Sequence, residues 1–341
     1  MLQAVIRSPT TFTVEDVARP ELRADGELLL RTAACGICSG DLMEWYLERK
    51  VNTVLGHEVV GYAEEVGPDV DHVKSGQLVF VHHHAPCMNC RSCRSGDPVQ
   101  CETWRKSKLD PGGMAEFIRV PEVNVCTDTF PIDDLTPEVG IFIEPLACSV
   151  KSLSRLGDRP RATGVIVGCG VMGLLNLMAA RALRTETLVA VEPDPHRREC
   201  ALRCGADEAL EPDAAGDMAQ RMGGADFVVV GPGDSAVIRE SLAYARDGGS
   251  VVLFTPTPAG SPTPLDLNDL YFREVSLVPS YSCGPQETRQ AYDLLRRGAV
   301  DVRPLITHSF HIGRVQEAYD TAKRGGKTLK VMVVFEGEAD G

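Results

Sequence analysis

The feature that most constrains the fold is a regular alternation of short apolar runs and helical segments from about residue 162 onwards. The runs read GVIVG, TLVAVE, ADFVVVG and GSVVLFT, and polar residues are rare within them. Strands of this kind are buried on both faces of a sheet, and helices between them act as crossover connections. The pattern predicts an α/β domain with a doubly wound parallel sheet over residues 151–284.

The first third of the chain has a different pattern of residues. Its short β-rich runs are separated by Gly and Pro, and they are Leu28 to Ala33, Glu58 to Val66, Leu78 to His82 and Met114 to Val120. This punctuation is typical of short, twisted strands. A helix from Gly140 to Leu156 leads into the α/β section, and a helix from Gln286 to Arg297 with two short runs follows it. We expect these last elements to return to the β-rich domain.

The composition is that of an ordinary globular protein, with 341 residues of which 43% are hydrophobic and 24% charged. A chain of this length favours two domains. The formal net charge of −13 argues against a nucleic-acid or anionic-membrane surface, because both need clustered Lys and Arg. No secretory pattern opens the chain, and the apolar stretch Val165 to Ala180 is shorter than the ~20 residues of a spanning helix. We therefore expect a cytoplasmic protein with a small-molecule partner.

Closely spaced cysteines predict a metal-binding lobe at about residues 86–102. Cys87, Cys90, Cys93 and Cys101 follow the spacing C-x2-C-x2-C-x7-C. Four thiolates at this spacing can surround one Zn²⁺ tetrahedrally and leave no open position, which is the arrangement of a structural site. An iron–sulfur cluster and four incidental buried cysteines are the alternatives.

Three consecutive histidines, His82 to His84, precede this lobe. Adjacent residues of a strand point to opposite faces of the sheet, so that their side chains converge poorly on one ion. We therefore expect solvated histidines at the end of a strand rather than a set of metal ligands.

A glycine-rich loop lies between the first strand of the α/β section and the helix after it. The stretch VIVGCGVMG places Gly168, Gly170 and Gly173 in the pattern GxGxxG, with a helix starting near Val171 and Met172. Glycines in this context allow a tight turn, a close approach of backbone to a pyrophosphate, and phosphate binding at the helix N-terminus. These five residues are the predicted dinucleotide-binding loop.

The second strand of the α/β section, TLVAVE, ends at Glu192, about 20 residues after the loop. A carboxylate there can accept hydrogen bonds from the adenosine ribose hydroxyls and would repel a 2′-phosphate. NAD is therefore favoured over NADP, although Arg197 and Arg198 could soften this preference. The alternative for Glu192 is a solvated residue at a strand end.

Two further stretches carry residues of the types that bind metals. CGICSGD runs from Cys35 to Asp41, and LGHEVVGYAEEVG places His57 and Glu58 at the start of a strand. Cysteine, histidine and carboxylate are the ligands of zinc sites that keep one position open for a substrate. Taken by itself, however, His57 fits a hydrogen-bonded core histidine better than a metal ligand.

Taken in order, the motifs of the chain resemble those of the zinc-dependent medium-chain dehydrogenases, which include alcohol, sorbitol and threonine dehydrogenases. The motifs are CGICxxD, GHE with VGYAEEVG, the four-cysteine lobe, GGMAEF, EPLACSVK and GxGxxG. The resemblance covers nearly the whole chain. It implies a GroES-like catalytic domain at residues 1–150 and 285–341, a Rossmann NAD-binding domain at 151–284, and a homodimer or homotetramer.

The resemblance also implies a catalytic zinc, which gives two zinc ions per chain with the structural one. The implied ligands of the catalytic zinc are Cys38, His57, Glu58 and Glu144. Cys35 falls where the family has no ligand, and Asp41 matches a carboxylate that orients the histidine ligand. Glu144 stands where polyol dehydrogenases carry glutamate and alcohol dehydrogenases carry cysteine.

The sequence departs from the family at the residues that pass the substrate proton to solvent. Family members usually carry Ser or Thr two residues after the ligand cysteine and often His five after it, where this chain has Gly40 and Met43. Ser39 is shifted by one residue, and we expect it to contribute little to catalysis. The proton would then leave through Glu58, Glu144 or water.

The expected activity is the reversible oxidation of a secondary alcohol to a ketone by hydride transfer to NAD, with NADP possible. By resemblance, Glu144 favours a polyol, sugar, cyclitol or aminocyclitol such as 2-deoxy-scyllo-inosamine, and oxidation of L-threonine is an alternative. The rivals are a non-catalytic NAD-binding zinc scaffold and a zinc-free reductase. Zinc content separates the three, with two per chain for the enzyme, one for the scaffold and none for the reductase.

Overall fold

The computed structural model of the chain describes residues 1–159 and 161–336. The chain divides into two compact units, one formed by Met1–Ala147 with Cys283–Gly341 and the other by Cys148–Ser282. No helix among the described residues is both long enough and apolar enough to cross a membrane.

The strands of the described residues are short in both units. They are β1 (Leu2–Ser8), β2 (Thr11–Asp16), β3 (Leu28–Gly36), β4 (Glu58–Val66), β5 (Leu78–Val81), β6 (Phe117–Val120), β7 (Thr129–Pro131), β8 (Thr163–Val167), β9 (Thr187–Val191), β10 (Glu208–Leu210), β11 (Ala225–Val230), β12 (Ala245–Leu253), β13 (Ser276–Pro279), β14 (Ile306–His311) and β15 (Lys330–Val334).

The α-helices of the described residues are distributed along the whole chain. They are α1 (Glu44–Leu47), α2 (Arg91–Arg94), α3 (Glu102–Lys106), α4 (Glu122–Asp128), α5 (Pro137–Gly140), α6 (Ile143–Ser154), α7 (Val171–Ala182), α8 (Pro195–Arg203), α9 (Pro212–Met222), α10 (Ser235–Ser241), α11 (Leu267–Phe272), α12 (Pro285–Arg296) and α13 (Val315–Arg324).

The first unit is built on a seven-stranded sheet and a separate hairpin of β1 and β2. The sheet has the order β14-β15-β3-β4-β5-β7, and β6 also pairs with β3. Strand β15, near the end of the described residues, runs antiparallel to β3. Apolar side chains such as Leu30, Val59 and Val333 fill the core beneath the sheet.

The second unit is a six-stranded parallel sheet in the order β10-β9-β8-β11-β12-β13. Its central strands are almost wholly buried, as their apolar composition predicts, and Val165, Val189 and Val228 lie in its core. Asp194 and Asp234 begin α8 and α10 by accepting hydrogen bonds from backbone N–H groups of the first turn. The fold class predicted from the sequence, a β-rich unit joined to a doubly wound parallel sheet, is confirmed.

Two strand ends differ from the predicted bounds. Strand β5 ends at Val81, one residue before His82, and β6 begins only at Phe117. Residues 114–116 contact β1 and β3 instead, because the Met114 carbonyl accepts a hydrogen bond from Ala4 and the Glu116 carbonyl accepts one from Thr32.

Candidate active site and metal centres

The CGICSGD stretch lies at the end of β3, where the buried strand gives way to a short 3₁₀ turn, Ser39–Leu42. Cys38 immediately precedes this turn, and its Sγ accepts a hydrogen bond of 3.4 Å from the backbone N–H of Gly40. Cys35 points instead into the apolar core of the first unit. The stretch therefore contains one core cysteine, Cys35, and one cysteine, Cys38, whose Sγ lies near His57 and Glu58.

The GHE stretch begins the neighbouring strand, β4, which pairs antiparallel with β3 so that Glu58 lies opposite Gly36. This pairing brings the two motifs together. The absence of a side chain at Gly36 makes room for the carboxylate, since a Cβ there would come within 2.0 Å of Oε2 of Glu58.

Potential donor atoms of Cys38, His57 and Glu58 lie within 4.8 Å of one another. Nδ1 of His57 lies 3.4 Å from Oδ2 of Asp41, and this buried oxygen has no hydrogen-bond partner of good geometry among the described residues. If a metal bound the other ring nitrogen of His57, the proton would remain on Nδ1. Nδ1 could then donate a hydrogen bond to Asp41. The residues present therefore fit a zinc ion.

The electrostatics of the group agree with this. Burial raises the pKa of the Cys38 thiol, and His57 opposes the rise. Burial also raises the pKa of Glu58, while Lys330 and His57 oppose the rise and Glu144 adds to it. Burial lowers the pKa of His57, but Asp41 and Cys38 outweigh it, so the pKa lies well above its usual value. A divalent cation would stabilise the ionised thiolate and carboxylate that burial disfavours.

Lys330, at the start of β15, was not singled out from the sequence. Its Nζ donates to both carboxylate oxygens of Glu58, at 2.8 and 2.6 Å, and to the carbonyl of Ile37 at 3.2 Å. Both side chains of the ion pair are buried. The sequence gives one indication that Lys330 is unusual, which is that a lysine begins the apolar run KVMVVFE.

Two of the residues assigned by resemblance are not among these three. Donor atoms of Glu144, in the first turn of α6, lie within 4.8 Å of those of His82 and Cys283, and the charge of Glu144 also raises the pKa of Glu58. Ser39 is exposed on the 3₁₀ turn. The structure thus brings together Cys38, His57 and Glu58.

The expectation of solvated histidines is wrong for His82. Its side chain is buried, and Nδ1 lies 2.8 Å from Oδ2 of Asp128, a contact made between residues 46 positions apart. His83 is also enclosed, with its ring 4.8 Å from that of His57, and burial lowers its pKa well below the usual value. The error arose because the apolar strand β5 carries His82 into the interior beside α4.

The four cysteines of the lobe converge as their spacing predicts. All four Sγ atoms lie within 4.8 Å of one another, with Cys90 and Cys93 separated by 3.5 Å and Cys87 and Cys101 by 3.6 Å. Burial opposes ionisation of Cys101, but the backbone N–H groups of Cys87 and Trp104 outweigh it and lower the pKa of the thiol to about 6. Four thiols at tetrahedral spacing fit a zinc ion with no open position.

In the second unit, the predicted glycine loop connects β8 to α7. Gly168 has a φ of +85°, which favours glycine, and a Cβ at Gly173 would lie 1.8 Å from the Gly168 carbonyl oxygen. Gly170 precedes the helix and provides no side-chain cap, so the N–H groups of Val171 and Met172 are available to an anion. The loop therefore fits a dinucleotide pyrophosphate.

Glu192 follows β9 and lies against the same loop. Its carboxylate accepts a 2.6 Å hydrogen bond from the Cys169 N–H and one of 3.0 Å from the Asp194 N–H. It is buried rather than a solvated strand end. Arg197 lies nearby in the first turn of α8. Burial raises the pKa of Cys169 to about 12, and the positive charge of Arg197 opposes this rise.

Comparisons with known proteins agree with this geometry. Residues 24–131 match the alcohol dehydrogenase GroES-like domain, and residues 171–297 match the zinc-binding dehydrogenase domain. An L-threonine 3-dehydrogenase of Caldanaerobacter subterraneus is 30% identical, over 91% of this chain and 92% of that protein. The L-idonate 5-dehydrogenase of Vitis vinifera is also 30% identical, over 90% and 87%.

Among solved structures, a zinc-binding dehydrogenase of Sinorhizobium meliloti 1021 bound to NADP is 27% identical and superposes with a TM-score of 0.86, covering 98% of this chain and 99% of that one. The resemblance inferred from the motifs is confirmed, and with it the expectation of an oxidoreductase that uses zinc and NAD or NADP. The chain belongs to the zinc-dependent medium-chain dehydrogenase family.

Proposed function

We propose that the chain interconverts a secondary alcohol and a ketone, with a polyol, sugar, cyclitol or aminocyclitol as substrate. The observation that carries this proposal is the convergence of Cys38, His57 and Glu58, with Asp41 behind the histidine. A thiolate, an imidazole and a carboxylate give a zinc ion three protein ligands and one position for a substrate oxygen.

Each residue of the group has a distinct task in this proposal. Cys38 and His57 hold the ion, and Glu58 contacts it directly or exchanges with a water. Asp41 fixes the tautomer of His57, and Lys330 fixes the carboxylate of Glu58. A bound zinc would polarise the hydroxyl oxygen of the substrate and favour loss of its proton, and a bound nicotinamide would accept the hydride from the carbon that carries this hydroxyl.

The substrate class rests on the relatives and on Glu144. The named substrates of relatives that match nearly the whole chain are L-threonine, L-idonate and D-arabinitol, each of which carries a hydroxyl beside another polar group. Glutamate at position 144 in place of cysteine favours the polyhydroxylated class. L-threonine is the second candidate, because two of the relatives named for it, one at 30% and one at 27% identity, match over nearly the whole chain.

A non-catalytic scaffold that binds NAD is the rival from another class. Such a protein would need the cysteine lobe and the glycine loop but not the donor group of Cys38, His57 and Glu58. The convergence of all three, together with the Asp41 contact, argues for the enzyme.

We also propose that the chain forms a homodimer or homotetramer. Strand β13 is the last strand of the parallel sheet, and the preceding helix α11 carries three apolar residues that are 71–76% exposed, Leu267, Tyr271 and Phe272. Exposed apolar residues beside a sheet edge are typical of an interface. Light scattering of the wild type and of a Tyr271→Lys, Phe272→Lys variant tests this, and a wild-type monomer would contradict it.

The test of the activity is absorbance at 340 nm with NAD or NADP against polyols, cyclitols, amino sugars and L-threonine. Reduction of the cofactor by one class, lost in Cys38→Ala, would establish the reaction and name the substrate class. Absence of turnover in both directions by a protein that retains zinc in the lobe would instead support the scaffold.

A further inference from the structure

Two buried polar atoms of the first unit lack a hydrogen-bond partner of good geometry among the described residues, and they lie on elements that contact each other. They are Oδ2 of Asp41, in the 3₁₀ turn Ser39–Leu42, and the hydroxyl oxygen of Tyr319, in α13. Helix α13 packs against this turn. We propose that Tyr319 positions Asp41, and through it His57, by a hydrogen-bonded connection that passes through one buried water.

The side chain of Tyr319 is fixed by its neighbours. Tyr319 is only 4% exposed, and its ring stacks on that of Phe12, in β2, with the ring centroids 3.8 Å apart. Val315 and Ala318, on the same helix, belong to the same core. The hydroxyl therefore stays in the interior and cannot turn to solvent while the ring remains packed.

The charges around the hydroxyl relate it to the candidate active site. Burial raises the pKa of Tyr319 well above its usual value, and Asp41 adds more to this rise than any other charged group, followed by Cys35 and Cys38. The Asp41 carboxylate is thus the strongest charge that acts on the hydroxyl. The tyrosine remains protonated at neutral pH and keeps its capacity to donate a hydrogen bond.

One water between the two residues would satisfy both atoms. A buried donor and a buried acceptor each cost free energy when they are left unpaired, and internal waters commonly join such groups in proteins. The hydroxyl of Tyr319 would donate to the water, and the water would donate to Oδ2 of Asp41. Because the same oxygen lies 3.4 Å from Nδ1 of His57, the bridge would hold the carboxylate in the orientation that receives the imidazole.

The consequence is a contribution of Tyr319 to metal binding, and this inference rests on the zinc ligand assigned to His57 under the proposed function. Loss of a residue that orients a ligand histidine costs about 10- to 100-fold in metal affinity. Tyr319 acts one step farther from the ion than Asp41 does. We therefore expect loss of its hydroxyl to weaken zinc binding by about three- to tenfold.

The experiment compares the zinc affinity of the full-length wild type with that of Tyr319→Phe, which removes only the hydroxyl. Competition with a chromogenic chelator measures the affinity, and the ion that Cys38→Ala lacks identifies the site to be followed. The matched control is Tyr292→Phe, because the hydroxyl of Tyr292 donates a 2.7 Å hydrogen bond to Asp134 at the surface of the same unit. The control should retain the affinity of the wild type.

A double variant separates positioning of Asp41 from a general effect on the fold. Asp41→Ala removes the carboxylate, so the addition of Tyr319→Phe to it should weaken zinc binding no further. A further loss of about threefold or more would show that Tyr319 acts independently of Asp41, and it would overturn the proposal.

A high-resolution crystal structure provides a readout that does not depend on zinc. The wild type should show one water within hydrogen-bond distance of both the Tyr319 hydroxyl and Oδ2 of Asp41, and Tyr319→Phe should lack it. A wild-type structure without this water would overturn the proposal.

The outcomes distinguish this inference from the proposed function. If Cys38→Ala loses one zinc ion while Tyr319→Phe retains wild-type affinity and melts at the same or a higher temperature, the hydroxyl is merely an unpaired buried group, and only the inference is overturned. If Cys38→Ala loses no zinc, the zinc ligands of the proposed function are overturned, and the role of Tyr319 in metal binding is overturned with them. Loss of one ion in Cys38→Ala together with weaker binding in Tyr319→Phe would support both.

Discussion

The Nζ of Lys330 lies within 2.8 Å of both carboxylate oxygens of Glu58, although 272 positions separate the two residues. The ion pair connects β15 to the start of β4 across β3, and both side chains are buried. The last strand among the described residues, β15, therefore supplies the lysine that holds the Glu58 carboxylate beside His57.

Replacement of Lys330 by Met is expected to lower the free energy of unfolding by about 3–5 kcal/mol, because it leaves the buried Glu58 carboxylate without its cation. Urea denaturation of the zinc-loaded protein measures this. Lys106→Met is the matched control, since Lys106 pairs with Glu102 on an exposed helix surface, where loss of an ion pair changes the free energy of unfolding little.

The double variant Lys330→Met, Glu58→Gln should recover part of the loss, because it removes the unpaired charge as well. A Lys330→Met protein as stable as the Lys106→Met control would show that the ion pair does not stabilise the fold.

Ser39→Ala is expected to change turnover less than about threefold, well below the 10²-fold or greater effect of a general acid–base group. Ser39 is exposed on the 3₁₀ turn and is not among the residues whose donor atoms converge at the site. Steady-state kinetics with the best substrate of the panel give the comparison. A loss of more than about 100-fold in kcat would assign Ser39 a direct role in proton transfer.

The parts of the molecule that were predictable from the sequence depend on neighbours in the chain. The spacing of Gly168, Gly170 and Gly173 specifies the turn after β8, because the requirement for glycine arises within six residues. The four cysteines of the lobe likewise converge within fifteen residues. In both cases the residues that form the site are close together in the sequence.

The parts that were not predictable arise from contacts between distant residues. His82 was expected to be solvated, and only its contact with Asp128, on α4, makes it a buried and oriented imidazole. Lys330 reaches Glu58 because β15 pairs with β3, which no local pattern shows. The proximity of Glu144 to His82 and Cys283 depends on where α6 is placed beside Cys283.

Gly173→Ala and Gly170→Ala are expected to affect the dinucleotide loop in different ways. A Cβ at Gly173 would clash with the Gly168 carbonyl at 1.8 Å, whereas a Cβ at Gly170 meets no atom within 4 Å. Gly173→Ala should therefore lower both thermal stability and NAD affinity. Gly170→Ala should leave the melting temperature within a few degrees, since alanine adopts its φ of −68° without strain.

Gly170→Ala should still weaken NAD binding, because the methyl group occupies space that the pyrophosphate needs. Fluorescence titration with NADH and thermal melting on the same samples separate the two effects. Equal stability of the two variants would mean that Gly173 does not pack against the loop.

Asp226 is expected to make the second unit sensitive to acid. Its carboxylate accepts hydrogen bonds of 2.7 Å from Arg246 and 2.9 Å from the Thr163 N–H. Burial raises the pKa of Asp226, but Arg246 and Thr163 outweigh it, so the folded-state pKa lies below that of the unfolded chain. The stabilisation is thus complete above pH ~4 and is lost as the pH falls through the folded-state pKa.

Asp226→Asn should therefore lower stability by about 2 kcal/mol at pH 7 and by progressively less below pH ~4, where the wild type also loses its charge. Urea denaturation at a series of pH values, followed for Arg246→Met in parallel, measures this. A difference between wild type and Asp226→Asn that stays constant from pH 7 to pH 3 would contradict the assignment.

The discrimination between NAD and NADP is expected to depend on Glu192. Its buried carboxylate is held against the glycine loop by the Cys169 N–H, where the ribose of the adenosine would bind. Glu192→Gln removes the charge that repels a 2′-phosphate and keeps the size of the side chain, so the ratio of kcat/KM for NAD to that for NADP should fall at least tenfold. The positive charge of Arg197, in the first turn of α8, would then favour the phosphate.

Glu211→Gln is the matched control for this change, because Glu211 directly follows β10, pairs with Arg198 and is largely exposed. It should leave the ratio within about twofold, as expected for an exposed ion pair. Kinetics with both cofactors at a fixed substrate concentration provide the measurement. If the ratio of kcat/KM for NAD to that for NADP falls equally in both variants, the preference for NAD arises from the general charge of this surface. Glu192 would then not determine the preference by contact with the ribose.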